Sequence, residues 1–524
     1  MGVAGAAAAG QGNRAYGRAL VGMDSPRVTV ETHLPGGLPG FTLVGLPETA
    51  VREARDRVKS AIQNCGFDFP RGKVVVNLAP AELAKEGARF DLAIAISVLR
   101  ATGQIPPRAD RRYEFLGELG LFGELRATRG CLCAALAIQR EADNTGTRLI
   151  IPAVNAVETC SGPENLLLTA SHLSDVVAFL RNPSEHPLGT PAPSTATAVP
   201  GAAPEPHLDD VLGQHGAKRA LLIAAAGGHH LLMVGPPGTG KTMLARRLPT
   251  LLPELEDGPA MEVAAVYSAA GLPAPAARRA PIRAPHHSAS APAMVGGGRQ
   301  ALPGEISLAH RGVLFLDELP HFKPSVLDLL REPLESREIS LARAGYRSTF
   351  PAHFQLVAAM NPCPAGRHCS EHSCRCSPDQ VRRYQGRISG PLLDRIDLHV
   401  AVPPVPRHLV LGTTGRAASE VAADARPRVA AARAVQSRRQ RCLNADLTGT
   451  AVLDAAHLDA AGRRLLERAT DRYVLSARGA HRVLRTARTI ADLDGADAVG
   501  TAHLSEALSF RALDWDGGLG MAAH

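Results

Sequence analysis

Lysine is scarce in this sequence. Only six occur in 524 residues, at positions 59, 73, 85, 218, 241 and 323, and arginine supplies the remaining positive charge. In a chain so rich in alanine, this bias reads as the mark of a GC-rich genome. A single arginine is therefore weak evidence of function. No run of about 20 apolar residues occurs, which argues against a membrane-spanning helix. The opening MGVAGAAAAGQGNRAYG has no basic stretch ahead of an apolar core and does not read as a signal peptide. A cytoplasmic location is expected, where thiols stay reduced. No repeat recurs at solenoid periods. Charge is close to balanced: a formal +8 over this length permits a polyanionic partner without requiring one.

What is present points to a multidomain globular chain. Hydrophobic residues make up 45% and charged residues 21%, ordinary values for a globular protein. The length allows two to four domains, each with its own core. Residues 183–206 hold seven prolines and almost no large apolar side chain, so they read as a linker. Before it, residues 1–182 mix strand-like runs such as KVVVNLA with the helical spacing of ETAVREARDRVKSAIQNCG. After it, residues 207–402 alternate strands and helices, and residues 403–524 read as helical.

The chemistry begins at Gly235. LLMVGPPGTGKTMLARRL fits G-x-x-x-x-G-K-[ST] over Gly235, Pro236, Pro237, Gly238, Thr239, Gly240, Lys241 and Thr242. An apolar strand precedes it and a helix follows, the context the motif needs. Backbone N–H groups of such a loop turn toward phosphate oxygens at a helix N-terminus. Lys241 is predicted to reach the β- and γ-phosphates of ATP, and the Thr242 hydroxyl to bind Mg²⁺. GVLFLDEL carries Asp317 to a strand end, where a carboxylate can hold the Mg²⁺ shell. Glu318 follows, placed to polarise a water. Asn361 ends another apolar strand, FQLVAAMN, and is predicted to orient that water.

These segments, with RAPHHSASAPAMVGGG, RISGPLLDRIDLHV and LSARGAHRVLRTARTIADL, resemble the ComM/YifB family of magnesium-chelatase-like AAA+ ATPases. GLPGFTLVGLPETAVREARDRVKSAIQNCGFDFPRGKVVVNLAPAELAKEGARFDLAIAISVL resembles that family's N-terminal region. The resemblance implies an α/β P-loop AAA+ core of the helix-2-insert group with a C-terminal helical lid. It also implies a preceding α+β domain of the ribosomal-protein-S5-like fold seen in Lon proteases. It implies a homo-hexameric ring motor and branch migration of DNA during integration of taken-up DNA. By the same resemblance, Arg395 in PLLDRID is an arginine finger and Arg478 in LSARGAHR a lid sensor acting in cis or trans. Arg387 and Arg482 are the nearest competitors. The Lon-like stretch KEGARFDLAIA lacks a serine nucleophile, so the N-terminal domain is expected to be non-catalytic. Two inserts are candidates for a DNA-facing pore. One is a hairpin with Arg343 and Arg347; the other carries Arg283, His286 and His287. Solvated hairpin tips are the competing reading. A motor that remodels a protein partner, and a DNA-binding scaffold, are the alternatives to a helicase.

The stretch NPCPAGRHCSEHSCRCSPDQ concentrates four cysteines after Asn361. Its place inside the ATPase module favours a structural clip over redox chemistry. Zinc held by Cys363, Cys369, Cys374 and Cys376 is one reading, with His368 or His372 able to replace Cys369. An unmetallated loop is the other. The familiar C-P-C-G of the family is broken here, because Ala365 stands at the second cysteine position. Cys131 and Cys133 read as small core residues.

Overall fold

The computed structural model describes residues 13–45, 49–83, 85, 87–106, 112–141, 146–159, 162–163, 165–191, 207–276, 278–298, 301–343, 346–366, 376–405, 425–473 and 475–511. The N-terminal part holds strands β1 (Arg14–Arg18), β2 (Arg27–His33), β3 (Gly40–Val44) and β4 (Lys73–Ala79), in sheet order 1-2-4-3. Alternation along β2 and β4 turns Val28, Val30, Val74, Val76 and Leu78 inward, as the two-residue period of a strand requires. Helix α1 (Thr49–Asn64) packs on α2 (Asp91–Ala101). Helix α2 is buried from Asp91 to Arg100 because the sheet covers its other side. A three-stranded parallel sheet follows: β5 (Tyr113–Phe115), β6 (Arg148–Pro152) and β7 (Leu167–Ala170). Two helices accompany it, α3 (Cys131–Arg140) and α4 (Leu173–Arg181). Gly189 bridges to Thr169 on β7, so the chain stays attached to this part beyond residue 182. The proline-rich stretch 192–206 lies outside the described residues.

The central part is one sheet of five parallel strands. Helix α5 (His215–Gly227) leads into β8 (Leu231–Val234), which is followed by α6 (Lys241–Leu251) and α7 (Asp257–Ala270). Then come β9 (Ile282–Arg283), β10 (Val313–Leu316), the hairpin of β11 (Glu338–Arg343) and β12 (Tyr346–Pro351), β13 (Gln355–Met360), α8 (Pro378–Gln385) and β14 (Leu398–Ala401). The sheet order is 9-10-13-8-14. Every residue of β8, β10 and β13 is buried, the pattern of strands covered on both faces. The helical part contributes α9 (Ala425–Gln440), α10 (Thr450–Ala456), α11 (Ala460–Tyr473), α12 (Ala477–Leu493) and α13 (Thr501–Ser509). Val483, Ala487 and Ile490 of α12 share a core with Leu231, Val313, Val357 and Leu398. The helices after residue 403 are thus joined to the sheet by packing. Among the described residues no helix is long and apolar enough to cross a membrane.

The N-terminal part rests on α7. Leu132, Cys133 and Leu136 of α3 pack against Ala264, Ala265 and Ala269. The Gly130 N–H donates to the Ser268 carbonyl at 2.9 Å, and the Cys133 thiol donates to the Ala265 carbonyl at 3.3 Å. Cys131 and Cys133 are buried, and burial pushes the Cys133 thiol up to about 12. Neither is a reactive thiol. Small residues on both helices let the two backbones approach this closely.

Three imidazoles beneath the central sheet are held neutral by geometry. The Leu356 N–H donates to His230 Nδ1 at 3.0 Å, and the His353 N–H to His310 Nδ1 at 3.1 Å. An Arg311 Nη1 faces His353 Nδ1 at 3.2 Å, so that nitrogen also serves as an acceptor. Burial pushes His230 and His310 down to about 4 and His353 to about 3. Of the two that face a carboxylate, His310 is the more enclosed, 4% exposed against 30% for His353. A histidine whose folded pKa lies below its unfolded value near 6.5 loses stability as pH falls from 6.5 toward that folded value. For His310 the loss between pH 7.5 and 5 is about 2 kcal/mol. His310→Gln keeps an acceptor but cannot titrate. We expect its calorimetric midpoint to fall less than the wild type's over that range, by roughly 4–8 °C. Equal acid sensitivity in the two proteins would refute the assignment.

Candidate active site

Strands β8, β10 and β13 all run the same way, so the residues that follow them gather at one edge of the sheet. From β8 the chain enters Gly235–Thr242. Gly238 and Gly240 adopt φ of +82° and +92°, backbone that glycine takes without penalty. No atom lies within 4 Å of where a Cβ would stand at either. Lys241 opens α6 and folds back over the loop. Its Nζ donates to the Gly235 carbonyl at 2.6 Å, to the Pro236 carbonyl at 2.8 Å and to Asn361 Oδ1 at 3.3 Å. Burial lowers the lysine's pKa, and the nearby Asp317 and Glu318 act in the opposite direction. An ammonium held only by three neutral oxygens is poised to exchange them for phosphate oxygens.

Asp317 follows β10. Its Oδ2 accepts from the Thr242 hydroxyl at 2.6 Å, and its Oδ1 from the Glu318 N–H at 2.9 Å. A hydroxyl and a carboxylate this close form the oxygen-donor pair that Mg²⁺ prefers, so these residues fit that ion. Glu318 has φ +53°, a left-handed conformation costing on the order of 1–3 kcal/mol in a residue other than glycine. Its carboxylate leaves the Asp317 side and turns toward His321 Nδ1 at 3.0 Å and His287 Nδ1 at 3.6 Å. Asn361 follows β13. The Tyr384 hydroxyl lies by the Asn361 backbone, and burial pushes that phenol up to about 12. A Cβ on Gly366 would come within 3.1 Å of Pro237 Cγ, so the first residues of the cysteine loop lie against the phosphate loop.

Of the proposed zinc ligands, Cys369 and Cys374 lie outside the described residues, as do His368 and His372. Cys363 is buried and Cys376 partly exposed. Among the described residues no three metal-binding side chains gather. The hairpin expected after residue 337 is present, with Arg343 opposite Tyr346; nothing is described of the Arg343 and Arg347 side chains. Arg283 departs from its expected place in a pore-facing loop. It ends β9 and forms a two-pronged pair with Glu305, both bonds 2.7 Å. His286 and His287 stack at 4.1 Å and, through His287, lie beside Glu318. In the Lon-like stretch, Lys85 donates to the carbonyls of Pro80 and Leu83.

Arg395 and Arg478 occupy the other end of the sheet. They line one cavity of about 620 Å³ with Arg331, Arg337, Arg482 and Arg485. Gly228 and His230, which precede β8, Phe354, which precedes β13, and Asp397, which precedes β14, form its floor. None of Gly235–Thr242, Asp317, Glu318 or Asn361 borders it. The strands between the two ends are four to six residues long, roughly 13–20 Å at about 3.3 Å per residue, so these arginines stand away from the Lys241 ammonium of their own chain. Arg395 pairs with Glu335 at 2.5 Å and donates to the Pro391 carbonyl at 2.6 Å. Arg482 pairs with Asp394 at 3.3 Å. Arg478 is exposed, and its guanidinium forms no hydrogen bond or ion pair with another described residue. Arg387, the other competitor, sits near Glu318, its Nη1 3.4 Å from the Pro320 carbonyl. Sequence reading missed Arg331, Arg337 and Arg485. The last had a signal, since residues 478, 482 and 485 share one face of a helix.

The sequence has close relatives. Residues 207–410 match the family described as magnesium chelatase, subunit ChlI. Residues 30–155 match a second family, subunit ChlI of Mg-chelatase, and residues 419–511 the ChlI C-terminal family. The competence protein ComM of Haemophilus influenzae is 47% identical over 500 residues, 95% of this chain and 97% of that one. This chain belongs to the ComM/YifB family. YifB of Escherichia coli is likewise 47% identical, over 95% of this chain and 96% of its own. The magnesium-chelatase 38 kDa subunit of Rhodobacter capsulatus is 29% identical over 56% of this chain and 83% of that one. As a ComM/YifB member with a magnesium-chelatase-like AAA+ region, the chain falls in a family of ATPases that use ATP and Mg²⁺. The parallel sheet and the phosphate loop at its edge agree with that membership.

Proposed function

We propose that this chain is an ATP-hydrolysing ring motor, hexameric, that translocates on branched or single-stranded DNA in the recombination of taken-up DNA. The ring rests on one observation: the phosphate loop and the arginine cavity lie at opposite ends of the same sheet. One chain then carries two half-sites that cannot meet, and neighbours in the same orientation, one on each side, complete both. Likeness to a competence protein over nearly the whole chain favours DNA as the track.

In this reading Lys241 exchanges its carbonyl partners for the β- and γ-phosphates, while Thr242 and Asp317 hold Mg²⁺. The bound ion offsets charge on the phosphates. Glu318 takes a proton from the attacking water, and Asn361 orients that water. Arg395 and Arg478 enter the neighbour's site. Residues 1–182 form a non-catalytic domain of the S5-like, Lon-C-like kind, 207–402 a core of the helix-2-insert group and 403–524 its lid.

Turnover by the purified protein is expected to rise on adding Holliday-junction or forked DNA, with branch migration of the junction. Light scattering under saturating ATP and Mg²⁺ is expected to give a hexamer. Unchanged turnover without strand movement would remove DNA from the proposal. The 29% identity to a magnesium-chelatase subunit would then favour a motor that remodels a protein. A monomer under those conditions would remove the ring.

A further inference from the structure

Glu318 does not stand alone. A one-turn 3₁₀ helix, Leu319–His321, follows it directly. Side chains three residues apart eclipse in that geometry, and Pro320 fixes the turn. The His321 N–H donates to the Glu318 carbonyl at 2.8 Å, and its ring lies over the Glu318 carboxylate, Nδ1 to Oε2 at 3.0 Å. The contact follows from the backbone, so it is not a chance meeting of two mobile side chains.

We propose that His321 is a positioning residue for ATP hydrolysis: its imidazole holds one Glu318 oxygen, leaving the other for the attacking water. This rests on the ATPase reading above. Nδ1–H donating to Oε2 removes a torsional freedom of a carboxylate that is 51% exposed and otherwise faces His287 Nδ1 only at 3.6 Å. Protonation of the ring changes the situation. An imidazolium paired with Glu318 makes the carboxylate a weaker base, so turnover falls on the acid side.

Several groups face this imidazole. Glu318 does so from its own turn. His287, from the loop after β9, meets the ring edge-on at 5.8 Å between centroids, with His286 stacked behind it. Tyr384 of α8 approaches from another side at 6.1 Å. Arg387 reaches the Pro320 carbonyl from beyond α8. The Tyr384 hydroxyl lies by the Asn361 backbone, and Asn361 Oδ1 accepts from Lys241. His321 therefore sits between the candidate base and the side chains that flank the phosphate loop.

The test is steady-state ATP hydrolysis at saturating Mg²⁺ over about pH 6 to 8.5, bracketing the imidazole range. Wild type, His321→Ala, His321→Gln and Glu318→Gln are compared. With His321→Ala, kcat is expected to fall about tenfold, a barrier change of roughly one 1.4 kcal/mol step, while KM for ATP stays within about twofold. His321→Gln keeps a donor that cannot titrate. It is expected to recover most of kcat near pH 8 and to lose the acid-side fall. A glutamine variant whose profile superimposes on wild type overturns the proposal, as does an alanine variant with unchanged kcat. So does an alanine variant in which KM alone rises. These results presuppose an active wild type. A wild type as inactive as Glu318→Gln would instead overturn the ATPase reading itself.

Discussion

Replacing Glu318 by glutamine should abolish steady-state hydrolysis while leaving nucleotide binding intact. The amide keeps the size of the side chain and its contact with His321, but it cannot take a proton from water. General-base groups of this kind contribute about 10²–10⁴ in rate, or roughly 3–5 kcal/mol of barrier. Binding should survive because the contacts expected to hold ATP come from elsewhere. Lys241, Thr242 and Asp317 hydrogen-bond one another or the loop carbonyls without using the Glu318 side chain. Fluorescent-nucleotide titration and phosphate release, run on one preparation, check both halves. Phosphate release within a factor of about ten of wild type would remove Glu318 from the base role. The same variant separates a motor from a scaffold. A scaffold keeps its DNA-dependent activity when hydrolysis stops, and a motor does not.

Arg395→Ala should cost as much or more. An arginine that meets the γ-phosphate from a neighbouring subunit is worth about 10³–10⁵ in turnover. Arg395 is now paired with Glu335, itself 59% exposed. Arg395 itself is only 18% exposed, so leaving Glu335 costs more than breaking a surface pair, and the phosphate charge it would meet must offset that cost. The decisive version mixes two dead proteins. Arg395→Ala keeps an intact phosphate loop, and Lys241→Ala keeps an intact arginine face. Mixed rings pair the good half of each, so activity should reappear on mixing, most strongly near equal proportions. If Arg395 acted within its own chain, mixing would restore nothing.

The loop-and-acid side of the site was legible because it is local. Gly235–Thr242 is one continuous motif, and Asp317 and Asn361 each end an apolar strand. The eye needs only the rule that parallel strands deliver their following residues to one edge. The arginine cavity was only half legible. Its residues come from before β8, from 331–337, before β13, around Asp394, from 445–448 and from one face of α12, and no spacing in the sequence joins these segments. The resemblance supplied Arg395 and Arg478, but not that they stand together, nor at which end of the sheet. His321 was passed over because a histidine three residues past an acid carries no pattern; the 3₁₀ turn that stacks it on Glu318 is a property of the folded chain. Arg283 misled for a related reason. In the sequence it borders a glycine- and histidine-rich insert, yet Glu305, 22 residues later, captures it at the edge of the sheet. The contact between α3 and α7 was equally invisible. Alanines and cysteines on two helices look like ordinary core residues until the two surfaces meet.

A sheet with a phosphate loop at one end and arginines at the other is a directional object, with a head and a tail. If each active site needs one of each, a two-fold dimer that buries identical surfaces completes no site at all. An open row of such chains completes one site fewer than it has chains, leaving an unused loop at one end and unused arginines at the other. Only a head-to-tail contact that closes on itself wastes neither. The number of working sites then counts whether the assembly is closed, and a single chain missing from a ring disables more than its own share.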